Sequence, residues 1–187
     1  MGAARALAQT AQPRTLHWWS LHREISEPVQ KAVQPDFLPE ISAQALDRTS
    51  LRLPNQLQGA RNLLLISWRR DQEQQLATWT APSQALQHTR LNFKVYRMPV
   101  SAPENALYRW WDNASLRAQE TDPELLHWTV PVYVDKAALH QAIGLGMDES
   151  MVVVLLVDPT GRIQWKAQGA STDATRAGLL AAAATPR

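Results

Sequence analysis

Cysteine is absent from all 187 residues. That excludes disulfides, cysteine-ligated zinc and a thiol nucleophile, and it leaves the redox compartment unreported. Glycine is scarce, at 7 residues. No Gly-rich phosphate loop or dinucleotide fingerprint occurs, so no small-molecule cofactor is expected. Neither Gly-x-Ser-x-Gly nor Ser-x-x-Lys is present, and no catalytic residue is nominated. No run reaches the ~18 uninterrupted apolar residues that mark a membrane span. The basic excess is slight, a formal +2, too small to point to nucleic acid. His17, His22, His88, His127 and His140 lack ligand-like spacing, so no metal is expected.

What is present is an ordinary globular balance, 45% hydrophobic and 19% charged residues, with 8 tryptophans. Residues 1–35 read as an N-terminal extension. Its first 15 residues, small and polar, are predicted disordered. The segment Ala-Leu-Ala-Gln there resembles the cleavage end of an export signal but lacks the apolar centre, so a trimmed signal and a plain tail both stay open. From Trp18, an apolar spacing through Leu21, Ile25, Val29 and Val33 predicts a short amphipathic helix, broken near Pro28.

Residues 36–187 read as one α/β domain. Segments 41–46 and 49–53 are candidates for an entry hairpin or edge strand. Asn62 to Trp68 reads as a central strand, followed by a helix that Asp71 caps, with Gln74 completing a loose capping box. Leu91, Phe93 and Val95 alternate with Asn92, Lys94 and Tyr96, predicting a strand exposed on one side. Ser101 is expected to cap a helix over 102–119, with an apolar stripe of Leu107, Trp110, Trp111, Ala114 and Leu116. Glu120, Asp122 and Glu124 suggest a solvated loop. A short strand over 130–134 leads into a helix capped by Asp135 and stopped at Gly144. The apolar run 152–157 predicts a strand covered on both faces. Asp158-Pro159-Thr160-Gly161 then turns it into a return strand, and a last helix begins at Ser171 or Thr172. The order demands parallel crossovers in the centre and an antiparallel hairpin at one edge: a mixed central sheet with helices on both faces.

This layout resembles the thioredoxin-like superfamily, in the branch of peroxiredoxins and periplasmic thioredoxin-like proteins. The matching pieces are Leu57 to Trp68, the segment VPVYVDKAALHQAIGLG, and VVVLLVDPTGRIQWKAQG. The resemblance as a whole covers roughly residues 36–184. In that superfamily the first strand-to-helix junction carries the redox cysteines, and a cis-proline precedes the hairpin. Here the junction is Trp68-Arg69-Arg70-Asp71-Gln72-Glu73-Gln74, and Ser150, Met151 and Val152 stand where the proline is expected. Among cysteine-less relatives, the LVDPTGRIQWKAQG ending and the polar junction are similar to the ATP synthase assembly-factor family, whose members help build the membrane sector of that enzyme. The resemblance therefore implies a non-redox binding or assembly module acting on a protein partner, with a membrane surface also open. It favours a periplasmic or membrane-peripheral location over the cytoplasm. The alternative is an oxidoreductase or peroxidase descendant whose cysteines were lost or replaced.

Partner-binding candidates follow from both lines. At the junction they are Trp68, Arg69, Arg70, Asp71 and Gln74: two guanidiniums at a helix start can hold an anion, whereas Asp71 capping with solvated arginines is the simpler reading. In the extension they are Trp18 and Trp19, flanked by Arg14, His17, His22 and Arg23, which suits an interfacial segment. Neighbours in a helix point about 100° apart, so an adjacent tryptophan pair cannot enter one core equally. Even so, the Trp110–Trp111 pair is expected to pack mainly into the core.

Overall fold

The computed structural model describes residues 36–184. Residues 1–35, including Trp18 and Trp19, and residues 185–187 lie outside the described residues.

The architecture grows from one strand, β3 (Arg61–Ser67), a run of Leu and Ile that can serve two cores at once. Successive side chains on a strand point to opposite faces. Leu64 and Ile66 enter one core, and Leu63 and Leu65 enter the other. β4 (Phe93–Ser101) pairs parallel to β3, and the two-residue β5 (Val132–Tyr133) pairs parallel to β4. On the other side β6 (Val153–Val157) runs antiparallel to β3, and β7 (Ile163–Gln168) antiparallel to β6. The sheet order is β5-β4-β3-β6-β7. Every residue of β6 is buried, as its unbroken apolar run requires. Burying each such Val or Leu contributes about 1.5–3 kcal/mol.

One face of the sheet is covered by α1 (Glu73–Ala77), α2 (Thr80–Thr89) and α6 (Asp173–Ala184), through Leu76, Trp79, Leu86 and Leu179. The other is covered by a separate hairpin, β1 (Ile41–Gln44) with β2 (Ser50–Leu53), and by α5 (Lys136–Ala142), through Ile41, Leu53, Leu139 and Ile143. Two further helices, α3 (Ala106–Gln119) and α4 (Pro123–Trp128), connect β4 to β5. Asp135 accepts from the Ala137 and Ala138 amides at the head of α5, and Gly144 follows with φ +65°. The Asp158 carboxylate accepts from the amides of Thr160 and Arg162, shaping the β6–β7 turn, and Gly161 takes φ +86° there.

Several expectations are corrected. The helix after β3 is two helices, because Pro82 lacks an N–H and is tolerated only in a first turn; α2 restarts at Thr80. Asp71 does not cap. The Gln72 side chain does, its Oε1 accepting from the Trp68 and Arg69 amides at 2.8 and 3.2 Å. β4 is covered on both faces rather than one: Tyr96 is 1% exposed, and the strand begins after Leu91, which is left in solvent. Ser101 is still strand, bonded through β5, so α3 starts later, with Asn105 accepting from the Tyr108 amide at 2.8 Å. The acidic stretch taken for a loop holds α4, capped by Asp122 with Pro123 in its first turn.

The largest correction concerns α3. Trp110 is 67% and Trp111 55% exposed, and Leu107 is exposed with them; the residue turned inward is Asp112. The helix docks by its polar side because the Asp112 carboxylate has buried partners to reach, described next.

Candidate functional site

The strand-to-helix junction is built on a buried aromatic stack. Trp68, 4% exposed, continues β3 into the core, and its ring lies on that of His140 from α5, 4.1 Å between centroids and 17° from parallel. The Trp68 ring N–H and both His140 ring nitrogens have no hydrogen-bond partner among the described residues. Around this stack runs a polar clamp. Lys136 Nζ donates to Glu149 at 2.7 Å and to the Trp68 carbonyl at 3.3 Å. Gln72 Nε2 donates to the Glu149 carbonyl at 2.8 Å. Gln75 receives the Val152 amide at 3.1 Å and donates to the Ser150 carbonyl at 3.3 Å. The junction and the segment entering β6 are thus joined by glutamine side chains. The one cis peptide bond among the described residues is Leu53–Pro54, away from this entry.

Outward from the clamp, the exposed arginines are all partnered. Arg69 holds Asp71 by two bonds, at 2.5 and 3.1 Å. Arg70 reaches across to Asp112 on α3, whose other carboxylate oxygen accepts from the Tyr133 hydroxyl at 2.9 Å. Burial first, and then Asp112 as hydrogen-bond partner and negative neighbour, push the Tyr133 hydroxyl well above the ordinary tyrosine range. It stays a neutral donor. Arg97 on β4 pairs with Glu73. Arg69, Arg70, Glu73, Arg97 and Asp112 border a cleft of about 420 Å³ between the junction, β4 and α3, which Met98, Val100 and Leu116 also line.

Trp68, Arg69, Arg70 and Asp71 therefore meet at one junction, with Trp68, Arg69 and Arg70 on the cleft itself. Gln74 is exposed on α1 and does not line the cleft. The anion-holding reading loses its basis, since each guanidinium already faces a carboxylate. Sequence reasoning missed Gln72, Asp112, Tyr133 and Arg97. Asp112 had a visible signal: a lone acid beside Trp110-Trp111 on a helix points about 100° from its neighbour, so it is a candidate for the inward face. Tyr133 and Arg97 had none, because their partners are distant in sequence; Gln72 takes amides three and four positions back, but its other partner, the Glu149 carbonyl, is 77 positions away.

No protein-family model matches the sequence, and no curated protein is significantly similar to it. Solved structures are similar in fold. A crystal structure described as an electron transfer protein from Aquifex aeolicus VF5 shares 16% identity over 80% of this chain and 96% of its own, with a TM-score of 0.54. BsSco, of the Sco family of cytochrome c oxidase assembly proteins, shares 12% over 81% and 96%, with a TM-score of 0.53. A structure described as the thiol:disulfide interchange protein DsbE from Chlorobium tepidum shares 15% over 80% and 97%, with a TM-score of 0.50. The fold is thioredoxin-like, and this chain builds it without a single cysteine.

Proposed function

We propose that the protein is a non-redox thioredoxin-like binding or assembly module that receives a protein partner at the cleft beside Trp68. The observation carrying this reading is the composition of the junction. Where the thioredoxin-like resemblance leads one to expect redox cysteines, this chain places ion-paired arginines and a glutamine clamp, none of which can exchange disulfides. Surface pairs such as Arg69–Asp71 add little stability on their own, and a rigid, polar-rimmed, apolar-floored cleft suits recognition of a partner side chain. The Sco comparison agrees with an assembly role, since Sco is itself named for one. Periplasmic or membrane-peripheral residence fits this reading, with Trp18 and Trp19 of the extension as a second contact, at a membrane surface.

Affinity capture from membranes and soluble extract, with wild type beside Arg69→Ala/Arg70→Ala, tests it. The expected result is a specific partner lost in the variant while the thermal midpoint shows the fold retained. A partner held equally by both proteins would remove the junction from consideration. Thiol-independent reductase or peroxidase turnover would overturn the non-redox reading.

A further inference from the structure

A second concavity, larger than the junction cleft, lies between the β1–β2 hairpin and α3, with a volume of about 810 Å³. Its charge is one-sided. Arg48 and Arg52 project from the hairpin, Arg109 and Arg117 from the helix, and no acidic residue lines it. Among the described residues none of the four makes an ion pair. Arg117 donates to the Leu46 carbonyl at 2.6 Å, and Arg109 lies over the Tyr133 ring at 5.9 Å; both contacts hold the guanidinium without neutralising it. The contrast with the junction is direct, since every arginine there has its carboxylate. Gathering unpaired like charges in one concavity raises its potential and concentrates counter-charge from solution.

The spacing narrows the ligand. Arg109 and Arg117 are eight positions apart on α3, about 12 Å along the axis. An extended polypeptide covers that length in about four residues. Trp110 lines the same groove and is two-thirds exposed, and Leu107 and Trp111 continue an apolar surface along the helix. An exposed leucine beside tryptophans offers aliphatic burial, which a strand of nucleotides would leave unused. We infer that this groove binds an acidic segment of a partner protein, an extended stretch whose carboxylates flank an apolar side chain. The inference stands apart from the junction reading and does not need it.

The test is fluorescence anisotropy of the full chain with a fluorescein-labelled, glutamate-rich peptide carrying a central leucine. The expected result is saturable binding that weakens as salt is added, because the contacts are solvent-accessible charges. Arg48→Gln/Arg52→Gln/Arg109→Gln should weaken it by about tenfold or more, the scale of losing a few charged contacts. Arg69→Ala, at the junction and paired only with Asp71, should leave it unchanged, which separates this site from the junction. Arg117 is kept because it also anchors Leu46. If the triple variant fails to fold, Arg52→Glu carries the same expectation at smaller amplitude. Absence of binding, or binding undiminished in these variants, would overturn the inference. Preferential binding of single-stranded DNA or phosphatidylglycerol vesicles through the same arginines would overturn the peptide assignment.

Discussion

His140 is fully buried, and both its ring nitrogens lack hydrogen-bond partners among the described residues, yet its ring stacks closely on Trp68. Besides the stack, its Nε2 lies 4.0 Å from Glu149 Oε1. His140→Phe should keep the packing and remove two unsatisfied polar atoms, leaving stability unchanged or raised by up to about 1 kcal/mol. His140→Ala should lose about 2–3 kcal/mol to the cavity. Urea unfolding of the two variants checks this, and equal losses in both would show that the nitrogens are bound after all. Asn62 is the opposite case: a buried polar side chain fully used. Its amide receives the Gly59 N–H at 2.8 Å and donates to the Gly59 carbonyl at 2.9 Å. Gly59 is required there, since a Cβ would lie 2.5 Å from the Arg61 carbonyl oxygen. Asn62→Ala leaves both main-chain groups unpaired and should cost about 2 kcal/mol or more in the same unfolding assay.

Among elements, the β1–β2 hairpin is attached to the region carrying α4 by few contacts, and one of them titrates. Asp47 in the hairpin turn bonds His127 of α4 at 2.6 Å, and the Leu46 amide donates to the Thr129 carbonyl at 2.9 Å. Burial pushes the Asp47 carboxyl up, but the bonds from His127 and Thr49 outweigh it and hold the group below the ordinary 3.8. A carboxyl with a lowered folded value stabilises fully above the unfolded value, and that stabilisation is lost as pH falls through the folded one. The thermal midpoint of Asp47→Asn should thus lie below wild type at about pH 6, and the gap should close towards about pH 2–3. A gap independent of pH would show that the carboxylate charge is not what joins the hairpin to α4. This attachment bears on function, because the hairpin forms one wall of the arginine groove.

For the whole molecule, the near-neutral formal charge hides a division. Paired arginines gather at the junction, unpaired ones in the hairpin groove, and exposed Leu107, Trp110 and Trp111 border the latter on α3. The proposed role of the extension has its own test. Flotation with phosphatidylglycerol vesicles should be seen for the full chain and lost for a chain starting at Pro35. Equal flotation of both would move any membrane contact to the domain. No helix among the described residues is long and apolar enough to cross a membrane.

The frame could be read from residue order alone where the signal is local. The apolar runs of β3 and β6, the Asp158-to-Gly161 turn and the Asp135 cap each depend on neighbours within a few positions, and each formed where expected. That no thiol is available is a matter of composition alone. What tertiary structure decided is which face of an amphipathic element turns inward, and which charges meet. The stripe on α3 predicts buried tryptophans, but Arg70 and Tyr133, 42 and 21 positions from Asp112, draw its polar side in instead. Likewise Arg48 and Arg117 share a groove only because the hairpin and α3 face each other there. Desolvating a carboxylate is costly unless its partners arrive with it, and no periodicity in one helix records where on the chain those partners are.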